Sequence, residues 1–224
     1  MSLPLYQRVA KRVIPKTFSR LDDLNTRAGI MFETFITEQY KWLVTGIRAN
    51  TTAIDLGANM GDSAIYLAQQ PKIRKVLSYE LYPYWFNVAK QNISQNPNMA
   101  KVQLFNKGVG IPGRIQLPEN KHYGSTGKLV DHKYGREVEI VSLNQIIGGK
   151  RNLIVKCDVE GSEYQIFVPG VDLSNVYRMQ IEYEYDPKKI IEPIKKQGFK
   201  VLRKEWGEMT DANDHEFGWL YAWK

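Results

Sequence analysis

Three short segments of this chain place carboxylates, glycines and an amide at spacings suited to holding a nucleoside cofactor. They are Asp55-Leu56-Gly57-Ala58-Asn59-Met60-Gly61-Asp62, then Tyr79-Glu80, then Lys156-Cys157-Asp158-Val159-Glu160-Gly161-Ser162-Glu163. Gly57 permits a tight turn and Gly61 a close approach at the start of a helix. A P-loop would need a lysine that is absent here. A dinucleotide fingerprint would need glycine at Asn59, and Asp62 in the first helical turn would repel a pyrophosphate. S-adenosylmethionine lacks phosphate and carries a cationic sulfonium and ammonium, so it suits the same acids. Asp55 is expected to address the ammonium, directly or through water. Glu80, at the end of the next strand, is an acceptor-only carboxylate suited to both ribose hydroxyls. Lys156 and Asp158 share one face of a strand by two-residue alternation. Asp158 is expected to face the cofactor crevice. Lys156 reads as a stem-buried lysine paired with an acid, and Glu163 as the acid at a helix N-terminus.

These residues need a frame of alternating strands and helices. Thr51–Leu56 is expected as a strand running into the glycine turn, followed by a helix over 63–68 that closes before Pro71. Strands follow at 76–80 and 102–105, around a helix over 85–94 stopped at Asn96-Pro97. The alternation argues for βαβ units, a parallel sheet and right-handed crossovers, with helices on both faces. Upstream, Phe32, Phe35, Ile36, Tyr40, Leu43, Val44 and Ile47 recur at helical spacing, predicting one amphipathic helix ending near Gly46. Gly108 to Gly135 is irregular, with a short strand at 114–117. Later come strands at 137–141, 153–158 and 176–183, and helices over 142–147 and 187–197. Phe199–Glu205 and Phe217–Trp223 read as a closing antiparallel hairpin. Residues 1–50 are expected as an N-terminal helical appendage and 51–224 as the cofactor-binding domain.

Composition sets outer bounds. The 224 residues carry 31 Lys+Arg against 24 Asp+Glu, a net charge of +7, with 43% hydrophobic residues. That balance excludes intrinsic disorder and permits a sizeable core. The lone cysteine, Cys157, excludes an internal disulfide framework and a cysteine-based zinc ribbon, and points to a reducing, cytoplasmic setting. No apolar run is long enough to span a bilayer. Met1 to Arg20 is basic, with Arg8, Lys11, Arg12, Lys16 and Arg20 and no acid, so the positive excess marks an acceptor or docking partner rather than the cofactor.

The three segments together resemble the FkbM family of S-adenosylmethionine-dependent methyltransferases, which pairs a D-x-G-A-N-x-G turn with a K-x-D-x-E-G-[SA]-E segment. The resemblance covers roughly Gly29 to Val168. It implies a Rossmann-like class I methyltransferase: a seven-stranded, mostly parallel α/β sheet with an antiparallel last strand. It also implies that Asp55, Gly57, Asn59, Gly61, Glu80, Leu81 and Asp158 contact the cofactor. The turn 106–110, with Gly108 and Val109, would border the adenine, and Glu33 belongs to an upstream glycine-to-glutamate segment. Asn144 departs from the family, which more often has aspartate there. The resemblance speaks for methyl transfer more firmly than for any acceptor.

Methyl transfer to an alcohol needs alignment, exclusion of water and a general base. Asp158, Glu160, His122 and His132 are the candidates; neither histidine has metal-ligand spacing. The expected acceptor is a hydroxyl on a small molecule, sugar or lipid. The alternatives are an RNA methyltransferase or a non-catalytic S-adenosylmethionine-binding protein. Against RNA, there is no Asn-Pro-Pro-Tyr-like motif, and Tyr123, Trp206 and Trp219 read as packing rather than base-stacking residues.

Overall fold

A computed structural model describes residues 24–96, 99–118, 135–184, 186–210 and 216–224. The chain begins there with helix α1 (Leu24–Phe35) and a single turn, α2 (Lys41–Val44). Strand β1 (Thr51–Leu56), helix α3 (Asp62–Gln69), β2 (Ile73–Glu80), helix α4 (Pro83–Ser94) and β3 (Val102–Asn106) follow. The short strands β4 (Gly108–Val109), β5 (Gly113–Leu117) and β6 (Arg136–Val141) lead to α5 (Leu143–Ile147) and β7 (Leu153–Cys157). The chain closes with α6 (Glu163–Ile166), β8 (Val176–Tyr183), α7 (Lys188–Lys195), β9 (Lys200–Thr210) and β10 (Glu216–Trp223).

Seven strands form one sheet in the order β3-β2-β1-β7-β8-β10-β9. The first five run parallel, and β10 is antiparallel to both β8 and β9. This is a Rossmann-like sheet, and the expected closing hairpin is present. Every residue of β1 is buried because both faces are covered, as a central parallel strand requires. Alternation sorts the side chains: Ala53 packs with Ile65, Leu67, Trp85 and Ala89 under α3 and α4, whereas Ile54 and Leu56 pack with Ile146, Ile166 and Ile190 under α5 to α7. Met31, Leu43 and Ile47 are buried in the same cluster as Ala53. α1 therefore lies on the sheet's first face, against α3.

Two expectations are corrected. The single helix over 32–47 breaks between Phe35 and Lys41, where Glu38 adopts a left-handed φ of 52°. The break turns Tyr40 away from the helical stripe, and it packs against Tyr66 and Trp219 instead. The middle of the chain is also more regular than expected: β5 and β6 pair antiparallel, and β4 joins them in a second, three-stranded sheet. α5 opens with a capping box between Ser142 and Gln145. Asn144 instead bridges the 170–172 loop, donating to the Gly170 carbonyl and accepting from the Asp172 N–H.

Candidate functional site

The β1–α3 turn is pinned from both sides. The Gly57 and Ala58 N–H groups donate to the Tyr79 carbonyl at 3.0 Å, and the Asn59 N–H donates to Glu80 Oε2 at 2.7 Å. On the other side the Asp158 N–H donates to the Leu56 carbonyl at 3.1 Å. Gly57, Asn59 and Gly61 have φ of 81°, 47° and 89°. Asparagine tolerates this region better than most side chains, which accounts for Asn59 where a fingerprint glycine would stand. A Cβ on Gly57 would overlap the Asp158 carbonyl oxygen, and one on Gly61 would press on Ala89 at 3.2 Å. Both glycines thus serve close approach of backbone to backbone or helix to helix.

Beneath the turn lies a buried charge cluster. Lys156 Nζ sits 3.6 Å from Asp55 and 3.5 Å from Asp158, and donates to the Gly57 carbonyl at 2.5 Å. Burial opposes its charge, but Tyr40, Asp158, Asp55 and Asp62 outweigh burial and hold its pKa well above the ordinary lysine value. The Asp55 carboxylate is fully buried and accepts from Ser63 Oγ at 3.0 Å and Ser78 Oγ at 2.5 Å.

Two clefts open at the carboxyl ends of the strands and meet at the turn, sharing Gly57, Asn59, Asp158 and Glu160. The first encloses about 90 Å³ of free space. Glu80, Leu81, Gly108 and Val109 line it, opposite Val159. Glu80 Oε1 also accepts from the Tyr82 N–H at 2.8 Å, and Asn106 Nδ2 donates to the Glu80 and Leu81 carbonyls. These bonds fix the carboxylate at the cleft wall. Leu81 packs close over Gly108, its Cδ1 2.8 Å from where a Cβ would stand, so a side chain there would displace it. The second cleft is lined by Glu33, Tyr40, Asp62, Lys156 and Glu182.

Acids crowd around one ammonium in this second cleft, and burial is the first cause of each shift. It pushes Asp62 up to about 6, although Thr34 Oγ1 donates to its carboxylate at 2.7 Å. It also pushes Glu80, in the adjoining first cleft, to about 7 despite the two backbone donors. Glu160 rises to about 9, from burial and then from Asp158 and Glu184. Glu182 rises well above the carboxylate range through burial, Asp158 and Glu160, and Glu33 rises through burial and Asp158. A cation entering this cleft would relieve the repulsion, and a phosphate would meet it.

The sequence over residues 55–201, well over half the chain, matches the Methyltransferase FkbM domain. The chain belongs to the FkbM methyltransferase family. A curated relative, Methyltransferase sdnD of Sordaria araneosa, is 26% identical over 165 residues, spanning 58% of this chain and 63% of that protein. Among solved structures, TrmK of M. capricolum with S-adenosyl-homocysteine has TM-score 0.51 at 12% identity, covering 83% of this chain and 67% of the other. A Streptococcus pneumoniae protein solved with S-adenosyl-L-methionine has TM-score 0.53 at 11% identity, covering 83% and 72%. At such identities the structural likeness speaks for the fold. Among the described residues, no helix is long and apolar enough to cross a membrane, and no group of three or more His, Cys, Asp or Glu is placed to hold a metal ion.

In this FkbM chain the structure gathers Gly57, Asn59, Glu80, Leu81, Gly108, Val109, Asp158 and Glu160 around the first cleft, with Glu33 in the second. Asp55, expected to face an ammonium, lines neither cleft; Lys156, Ser63 and Ser78 occupy its carboxylate. Gly61 also lines neither, because it faces Ala89. Glu163, the expected helix-start acid, accepts from the Val159 and Gly161 N–H groups at 3.2 Å and so holds the loop after β7. His122, His132 and Tyr123 lie outside the described residues. Trp219 is buried, 6% exposed. Glu182 escaped the sequence reading, and Tyr40 was read only as part of a helical stripe. The acids at alternate positions at and just past the end of β8, Glu182 and Glu184, were the available signal.

Proposed function

We propose that this FkbM chain binds S-adenosylmethionine across the two clefts and methylates a hydroxyl group on a neutral small-molecule, sugar or lipid acceptor. The observation that carries the reading is Glu80, a buried carboxylate fixed by two backbone donors at the wall of the first cleft. Its oxygens keep lone-pair capacity for the two ribose hydroxyls. Asn59 supports the fit: its Oδ1 is buried without a hydrogen-bond partner in the structure and borders both clefts, so a ligand N–H or O–H would satisfy it. Leu81, Gly108 and Val109 form the apolar end of the cleft for an adenine ring.

When bound, S-adenosylmethionine supplies an electrophilic methyl group on a cationic sulfur. The protein's share is to orient, exclude water and take a proton. Asp158 and Glu160 stand where the clefts join and are the described candidates for accepting the hydroxyl proton; His122 remains a third candidate in this reading. Burial, Asp158 and Glu184 push the Glu160 carboxyl up to about 9. A neighbouring positive charge would favour its ionised form and make it a base. Lys156 orients Asp158 from below. A cytoplasmic setting belongs to the same proposal, supported by the single, buried, free Cys157.

Calorimetric titration with S-adenosylhomocysteine tests the cofactor site. Wild type should bind, and Glu80→Ala should weaken binding by about fivefold to a hundredfold, the loss of a charged hydrogen-bond partner. Unchanged affinity in a variant that still melts cooperatively would reject the ribose role.

A further inference from the structure

We infer that the methyl acceptor is a neutral ring bearing a free hydroxyl, laid in an aromatic groove that runs from the acidic cleft across the sheet to its β9 edge. The inference rests on the methyl-transfer reading and adds where the acceptor lies and what chemistry it has.

The groove follows from strand register. Trp219 on β10 is paired with Glu182 on β8 and Lys204 on β9; two residues along, Tyr221 is paired with Gln180 and Leu202. Gln180 is in turn paired with Lys156 on β7. By alternation, Glu182, Trp219 and Lys204 share the face on which Lys156 meets Asp55 and Asp158. That face is roofed by the broken segment after α1 together with α2. Tyr40 packs on Trp219 with ring centroids 6.3 Å apart, and Trp42 packs edge-on to Tyr221 at 4.9 Å. Arg178 locks this roof, donating to the Trp42 and Thr45 carbonyls with its guanidinium 5.0 Å from the Trp42 ring.

The space left between roof and edge is a hollow lined by Trp42, Trp219, Tyr221 and Lys204. Glu33 and Gln39 line both this hollow and the acidic cleft, so the two adjoin across these residues. From β7 to β9 is three strand spacings, about 14 Å, room for a ring and its substituent. Leu202, 56% exposed, stands on the same face at the outer end.

The lining selects the occupant. Aromatic walls take the apolar face of a ring, and the neighbouring amide and carboxylates take its hydroxyl hydrogens. The inner end, with Glu33, Asp158, Glu160 and Glu182, repels a phosphate or carboxylate close to the reacting oxygen. Sugars and phenols share the required chemistry, and the experiment separates them.

Full-length protein is saturated with S-adenosylhomocysteine and titrated with p-nitrophenyl hexosides, simple phenols, hexose phosphates and a short RNA; transfer from labelled S-adenosylmethionine is counted in parallel. Neutral hexosides or phenols should bind saturably and accept methyl, and the arm that succeeds identifies the source. Hexose phosphates and RNA should do neither. Trp42→Phe and Tyr221→Leu should raise the acceptor KM or Kd by about tenfold while S-adenosylhomocysteine affinity, which reports folding, stays within about twofold. Failure of wild type to bind S-adenosylhomocysteine would defeat the cofactor reading instead. With that binding intact, three results each overturn the groove: no neutral ring bound or methylated, a preference for phosphorylated acceptors or RNA, or aromatic variants with unaltered acceptor affinity.

Discussion

Replacing Lys156 by methionine tests the electrostatic support under the turn. Its side chain is 2% exposed and Asp55 is 0% exposed, so the substitution leaves a carboxylate in the core without its cation. Orphaning one member of a buried pair costs about 3–5 kcal/mol. Ser63 and Ser78 still donate to Asp55, which places the cost at the lower end, about 3 kcal/mol. For a chain of this size each kcal/mol lowers the melting temperature by about 2–4 °C, so a fall of roughly 6–12 °C is expected. Asp158, with 28% of its side chain exposed, can hydrate and adds little to the loss. The double variant Asp55→Asn with Lys156→Met removes both charges and should recover about 2 kcal/mol relative to additivity. Urea unfolding followed by tryptophan fluorescence measures the wild type, both single variants and the double variant at neutral pH. The single variant should also regain stability on acidification, because burial raises the Asp55 pKa in the folded state and a folded group of raised pKa loses stability as pH rises. A cost below about 1 kcal/mol for Lys156→Met, or a double variant no better than the single, would refute the account.

Other expectations bear on the same frame. Gly57→Ala combines a φ of 81° with overlap on the Asp158 carbonyl and should abolish cooperative folding or cost more than about 3 kcal/mol; a near-native melt would count against the turn geometry. Ser142→Ala removes the α5 capping box and should cost about 1 kcal/mol in the same denaturation assay, with no change in cofactor binding. Folded-state pKa values of about 6 for Asp62, 7 for Glu80 and Glu163, and 9 for Glu160 all exceed the unfolded carboxylate value. The folded chain therefore binds more protons than the unfolded one, and ligand-free stability should fall as pH rises from about 4 toward 9. Melting higher at pH 8.5 than at 5.5 would contradict this sign. By the same linkage, S-adenosylmethionine should bind more tightly as pH rises through this window, and the uncharged thioether S-adenosylhomocysteine less so. Parallel pH slopes in calorimetry would remove the acids from the sulfonium's neighbourhood.

The glycine turn after β1, Glu80 at the end of β2, and Lys156 sharing a face with Asp158 were all legible in the chain. Each depends on a local rule: strand alternation, a strand-to-helix turn, or an acid at a strand's carboxyl end. The helix over 32–47 failed because apolar spacing does not reveal a left-handed residue at Glu38. Its apolar residues divide between two clusters, one under α3 and one around Trp219. β4 to β6 were missed as a sheet because the pairing of β6 with both neighbours is nonlocal.

By itself, then, the sequence determined the sheet class, the glycine turn after β1 and the family, since those reside in contiguous residues whose backbone demands are local. Only the tertiary structure decided which acids line the clefts and which are buried in the core beneath them. Asp55 belongs to Lys156, Ser63 and Ser78, whereas Glu182, from a strand far along the chain, reaches the cleft. The register of β7, β8 and β10 brings Lys156, Glu182 and Trp219 onto one face. Contacts between residues this distant depend on the packing of the whole sheet, which no local pattern encodes.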